Sequence, residues 1–191
     1  NTMKPFLNIL LGPMFSGKST ELIRRIRKYK TINKKIIVVT HINDSLRTNK
    51  NIIETHDNVF EEAVSLHSLR DIEKLPEFEE SEMIFIEEGQ FFEDIYDTTI
   101  WLVEKKEKCV TIAGLDGTSE RKGFGKNIDL LRLLPIAEDF IKFRGLCKFC
   151  NDGTESSFTL RLTESKEEVL VGGEESYVGV CRKHWKELGK K

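Results

Sequence analysis

The sequence predicts an α/β fold: a P-loop parallel sheet flanked by helices, followed by a small, loop-rich, zinc-stapled second unit. Three observations predict it. Short apolar runs alternate with segments of helical spacing, a phosphate-cradle motif sits at the first strand-to-helix turn, and two Cys-containing pairs lie in the C-terminal quarter.

Phe6–Leu11, Ile36–Val39, Met83–Ile86 and Val110–Ala113 are bounded by polar or glycine residues and read as buried parallel strands. Helical spacing marks Thr20–Lys30, Ser68–Leu75 (stopped by Pro76) and Asp94–Lys105. The polar stretch His41–Asp57 reads as a flap. After Arg144 the pattern becomes loop-rich, with a hairpin expected between Phe158–Leu162 and Glu168–Val171. The expected division is therefore 1–144, a nucleotide-binding domain, and 145–191, a zinc-binding unit.

The 191 residues suit one main core with an appendage. Thirty basic against 32 acidic residues give a net charge of −2, which removes the simplest electrostatic argument for binding a polyanion. No apolar run approaches the roughly 18 residues of a membrane span. Neither nucleic acid nor membrane is an expected partner, and a cytoplasmic location is expected.

Gly12-Pro13-Met14-Phe15-Ser16-Gly17-Lys18-Ser19 fits G-x-x-x-x-G-K-[ST], between a buried strand and a helix that continues through Thr20. Glycines let the backbone wrap a diphosphate, and the helix start adds its positive dipole end. Lys18 is expected to reach the β and γ phosphates of ATP and Ser19 to ligate Mg²⁺. Glu87 and Glu88 follow a buried strand at its carboxyl end, where open α/β sheets bind ligands. The first acid is the expected partner of Mg²⁺ and the second the expected proton acceptor, with Arg121 or Lys122 adding positive charge. The basic run Arg24–Lys30 alternates with Leu22, Ile23 and Ile26 and reads as a solvated helix face.

Cys147-x-x-Cys150 and Cys181-x-x-His184 have the short paired spacings of one tetrahedral zinc site. Four protein ligands leave no open position, so the zinc is expected to be structural.

From about Leu10 to about Trp185 the chain resembles the cytosolic-type (type II) thymidine kinases. The blocks that carry this are Gly12–Arg25, Thr55-His56-Asp57, Glu88-Gly89-Gln90-Phe91-Phe92, Leu115–Thr118 with Arg121-Lys122 and Phe124, the Cys-x-x-Cys pair, and Val171-Gly172-Gly173 leading to Tyr177 and Val180-Cys181-Arg182. The resemblance implies ATP-dependent phosphorylation of the thymidine 5′-hydroxyl in nucleotide salvage, a zinc-held lasso over the base, and a homotetramer. It makes Glu88 the general base. It adds Asp44 and Arg47 to the ATP site, and makes Met14, Gln90, Phe91, Leu115, Ser119, Phe124, Thr159, Leu170, Val171, Gly172 and Tyr177 the nucleoside pocket. Three positions depart from the family pattern: Glu87 replaces a usual aspartate, Asp44 and Arg47 are one residue further apart, and Ser119 replaces an aromatic. Two other readings stand beside this one: a kinase of another pyrimidine deoxynucleoside, and a zinc-bearing ATPase module gripping nucleic acid or protein.

Overall fold

A computed structural model describes residues 3–42, 51–55, 59–124, 129–163 and 176–189. Its centre is a six-stranded parallel sheet formed by β1 (Phe6–Gly12), β2 (Ile36–His41), β5 (Val64–Leu66), β6 (Met83–Ile86), β7 (Cys109–Leu115) and β8 (Asp139–Lys142). The strand order is β5-β2-β6-β7-β1-β8, which sets the ends of β6, β7 and β1 side by side.

Both faces of the sheet are covered, which is why its central strands read as continuous apolar runs. Leu7, Ile9 and Leu11 point to one face with Ile37, Val39, Ile84, Ile86, Val110 and Ile112. There they meet the 3₁₀ helix Leu69–Lys74, α2 (Ile95–Ile100) and α3 (Asp129–Arg132) through Leu69, Ile72, Ile95 and Leu130. Leu10, Val38, Met83, Phe85 and Ala113 point to the other face, against Leu22, Ile23 and Ile26 of α1 (Lys18–Lys30). The period-2 alternation divides a seemingly uniform run between two cores.

Four of the six strands match apolar runs. β5 is three residues long. β8, Asp-Phe-Ile-Lys, is an edge strand with Phe140 55% exposed, so burial imposes no apolar run on it. The expected helix over Ser68–Leu75 is the shorter 3₁₀ segment, its start held by Asp94, which accepts from the backbone N–H groups of Leu69 and Arg70 at 2.9 and 2.8 Å. The helix expected over Asp94–Lys105 begins at Ile95 and widens into a π turn over Trp101–Lys105.

Of the expected flap, residues 43–50 and 56–57 lie outside the described residues, and β3 (Ile52–Glu54) pairs antiparallel with β4 (Phe60–Glu62), just beyond it. Glu61 there pairs with Arg27 at 2.9 Å and with Lys30, while Arg24 and Arg25 pair with Glu21 at 2.7 Å. Four cations of the basic run on α1 thus have carboxylate partners within the chain.

The C-terminal unit holds β9 (Gly145–Leu146) against β10 (Glu155–Ser156), and β11 (Phe158–Arg161) against β12 (Tyr177–Val180), followed by α4 (Arg182–Leu188). The hairpin partner of β11 is therefore β12, and the expected partner Glu168–Val171 lies outside the described residues. The core of this unit is small: Cys147, Leu160, Val178 and Val180, with Phe158 and Trp185 packed against it. No helix among the described residues is long and apolar enough to cross a membrane.

Candidate active site

The loop from β1 to α1 closes on itself. A Cβ at Gly12 would stand 2.7 Å from both the Phe143 carbonyl oxygen and Ser16 Oγ, so only glycine fits. Phe15 (φ 62°) and Gly17 (φ 89°) are left-handed, and at Phe15 that backbone costs about 1–2 kcal/mol. The Lys18 ammonium turns back into the loop, donating to the Pro13 carbonyl at 2.7 Å and lying 3.4 Å from Ser16 Oγ. Burial lowers the Lys18 pKa, opposed by the negative charges of Glu88, Glu87 and Asp116. Thr20, on the first turn of α1, is exposed.

Ser19 and Glu87 come from different elements and meet directly, the serine hydroxyl donating to Glu87 Oε1. Glu87 is buried, and its N–H binds the Val39 carbonyl at 2.8 Å. A hydroxyl and a carboxylate converging beside the phosphate cradle form a hard-oxygen donor set that suits Mg²⁺.

Glu88 takes φ 55°, ψ 42°, a left-handed turn between β6 and the short 3₁₀ segment Gly89–Phe91. The turn separates it from Glu87. Its carboxylate accepts from Gln90 Nε2, while Gln90 Oε1 accepts the Leu115 N–H at 3.0 Å. The Gln90 amide therefore links the acid after β6 to the end of β7. Gln90→Leu is expected to lower kcat, because the amide donor that holds the Glu88 carboxylate is lost. A kcat at the unmutated value would show that Gln90 does not hold Glu88 for the reaction.

Beside this turn, Phe91 and Phe124 meet edge to face with centroids 6.0 Å apart. Phe92 is buried in the core instead. Met14 donates its N–H to Thr159 Oγ1 at 3.0 Å, joining the phosphate loop to β11, and a Cβ at Gly145 would strike the Phe15 carbonyl oxygen at 2.5 Å. Tyr177 is buried and its hydroxyl lies 3.2 Å from an Arg161 guanidinium nitrogen. The Ser119 carbonyl accepts from Trp185 Nε1 at 2.9 Å. Asp44, Arg47, Leu170, Val171 and Gly172 lie outside the described residues.

Arg121 or Lys122 is expected to add positive charge, and both have partners in the structure. The Arg121 guanidinium lies 3.6 Å from the centroid of the Trp185 ring, and Lys122 pairs with Glu120 at 2.6 Å. Two residues were missed in the sequence. Asp116, just after β7, adds negative charge near Lys18 and pairs with Lys142 at 2.7 Å. His41, the last residue of β2, sets its ring 5.9 Å from Phe91 and edge-on to Phe92 at 4.8 Å. Desolvation, with the neighbouring His67, lowers the His41 pKa. The available signal was position: both stand at carboxyl ends of parallel strands.

Cys147, Cys150, Cys181 and His184 converge, with all four donor atoms within 4.8 Å of one another. His184 Nδ1 is 3.4 Å from each of the three sulfurs, and Cys150 and Cys181 Sγ are 3.8 Å apart. A zinc tetrahedron with ordinary bond lengths needs S···N edges of about 3.5 Å and S···S edges of about 3.8 Å. The residues fit the ion. Burial acts to raise the Cys147 pKa, but backbone hydrogen bonds from Cys181, Phe149 and Cys150 outweigh it and bring the value to about 6. Desolvation and the neighbouring Cys147 and Cys181 push the Cys150 thiol up to about 11, so the fit to a metal rests on the geometry of the four donors.

A parallel sheet with a phosphate loop after β1 and two acids after the nearby β6 defines a P-loop phosphotransferase, here with a zinc-type unit folded against the loop. The thymidine kinase family profile matches residues 5–185. The thymidine kinase of sheeppox virus (strain KS-1) is 38% identical over 179 residues, 93% of this chain and 95% of the relative. The cytosolic thymidine kinase of Bos taurus is 38% identical over 176 residues, 92% of this chain and 70% of the relative. The thymidine kinase of vaccinia virus (strain Western Reserve) is 38% identical over 178 residues, 93% and 94% of the two chains. The chain belongs to the thymidine kinase family.

Proposed function

We propose that this chain transfers the γ-phosphoryl group of ATP to the 5′-hydroxyl of thymidine, giving thymidine monophosphate for nucleotide salvage. The observation that carries the reading is the meeting of three groups at the carboxyl ends of the inner strands: the phosphate loop, the Ser19–Glu87 pair, and Glu88 beside the Phe91–Phe124 aromatic corner.

In this reading the residues Gly12–Thr20, with Asp44 and Arg47, bind ATP, and Lys18 leaves the Pro13 carbonyl for the phosphates. Ser19 and Glu87 hold Mg²⁺, which when bound spreads the charge of the transferring group. Glu88 takes the proton of the 5′-hydroxyl as that oxygen attacks, with its carboxylate held by Gln90. Met14, Phe91, Leu115, Phe124, Thr159 and Tyr177, with Leu170, Val171, Gly172 and Ser119, enclose the nucleoside. Zinc on Cys147, Cys150, Cys181 and His184 is structural. The division into a nucleotide-binding unit (1–144) and a lasso unit (145–191) belongs to the same proposal.

The proposal includes a homotetramer, supported by the open β8 edge with Phe140 exposed, and a cytoplasmic location, supported by the bovine relative being a cytosolic enzyme. A nucleic-acid-gripping ATPase is disfavoured by the charge of −2. The test measures ATP consumption alone, with each deoxynucleoside, and with single-stranded DNA. Consumption that rises with thymidine supports the proposal, and consumption indifferent to every nucleoside would sink it.

Glu87→Gln tests the metal assignment. It keeps the side-chain size but removes the charge, so the Mg²⁺ concentration for half-maximal rate is expected to rise severalfold while the rate at saturating Mg²⁺ largely recovers. An unchanged Mg²⁺ requirement would separate Glu87 from the ion.

A further inference from the structure

The segment that follows β7 is a tight loop with two ends. The Thr118 N–H donates to the Lys122 carbonyl at 2.7 Å, and Thr118 Oγ1 accepts from the Lys122 N–H at 3.2 Å. Arg121 stands at φ 62° within it. At one end the loop is fastened to the zinc unit. Trp185, the residue after the ligand His184, donates Nε1–H to the Ser119 carbonyl, and its ring face receives the Arg121 guanidinium at 3.6 Å. The same guanidinium lies 5.4 Å from the Phe158 ring on β11. At the other end the loop carries Phe124 edge-on to Phe91.

Holding a non-glycine residue in the left-handed region costs energy, so the surroundings must over-determine it. Here the loop's own hydrogen bonds, among them the Arg121 N–H to the Thr118 carbonyl at 2.9 Å, are joined by a hydrogen bond and a cation–π contact that one side chain of the other unit supplies. We propose that Arg121 and Trp185 form a clamp that positions the Ser119–Phe124 loop, making both positioning residues for the nucleoside site rather than groups acting on the transferring phosphate. The proposal rests on the reading of this chain as a nucleoside kinase. It predicts that the last helix sets Phe124 against Phe91 and so governs nucleoside affinity, although Trp185 touches no phosphate-loop residue in any described contact.

The test uses Arg121→Met, which keeps length without charge, Trp185→Phe, which keeps a ring without the N–H, and Trp185→Leu, which loses both. Each is assayed for thymidine KM, ATP KM, kcat and zinc content. Arg121→Met and Trp185→Leu are expected to raise thymidine KM by about tenfold, with ATP KM and zinc content unchanged, and Trp185→Phe to fall between. Combining Arg121→Met with Trp185→Leu should raise thymidine KM by less than the product of the two separate effects, because the contact they share is lost only once. In a Trp101→Phe background Trp185 is the sole tryptophan, and Arg121→Met should change its emission before any substrate is added.

A thymidine KM at the unmutated value in zinc-replete variants would overturn the clamp. So would a fall in kcat at unchanged thymidine KM, which would return Arg121 to the phosphate, or Trp185 emission indifferent to Arg121→Met. An unmutated chain that turns over no nucleoside removes the functional reading, and this proposal with it.

Discussion

Glu88→Gln is expected to lower kcat by about 10²- to 10⁴-fold, the usual share of a general base. The substitution keeps shape and most hydrogen-bonding capacity, so thymidine and ATP binding should be nearly unchanged. The structure sharpens the expectation. Glu88 is set apart from Glu87 by a left-handed turn and held by Gln90, whereas Glu87 is buried against Ser19. Steady-state kinetics with separately measured nucleoside binding checks it. A variant with near-normal turnover would mean that the proton leaves by another route.

The second large effect is expected on loss of zinc. Among the described residues the apolar cluster of the unit beyond Arg144 has four buried members, one of them the proposed ligand Cys147, a small core of the kind that depends on a metal. Metal binding and folding are then expected to be one equilibrium, as in small zinc domains with apparent zinc affinities of about 10–16 kcal/mol. Cys150→Ser is expected to unfold this unit and to reduce kcat/KM for thymidine by more than the roughly 10- to 100-fold that losing a residue behind a ligand costs. ATP binding should weaken less, since the unit touches the phosphate loop mainly through Thr159 on the Met14 N–H and the Gly145 contact with Phe15. Metal analysis, thermal unfolding and ATP titration on one preparation check this. A fully folded, active Cys150→Ser protein lacking zinc would contradict it.

Much of this arrangement is legible in the sequence because burial writes it there. Parallel strands covered on both faces must be apolar throughout, so Met83–Ile86 stands out, and the acids that end it mark where the sheet meets ligand. The phosphate loop is legible because its backbone admits only glycine at positions such as Gly12. The zinc ligands are legible because a tetrahedron demands short paired spacings. β8 is not, since an edge strand bearing Asp139 and Lys142 buries little. Tyr177–Val180 is too short and too near Gly172-Gly173 to identify as the partner of β11. The contacts of Gln90 with Glu88 and of Trp185 with Arg121 leave no periodic trace, because side chains meeting across loops follow the fold rather than any spacing along the chain.

The most direct test of the central claim follows γ-labelled ATP given to the unmutated protein with thymidine or with 5′-deoxythymidine, which lacks only the accepting hydroxyl. Label is expected on the 5′-oxygen of thymidine, with no nucleotide product from 5′-deoxythymidine and a strongly reduced rate for Glu88→Gln. Label released as inorganic phosphate at the same rate with either compound, and none on thymidine, would contradict it.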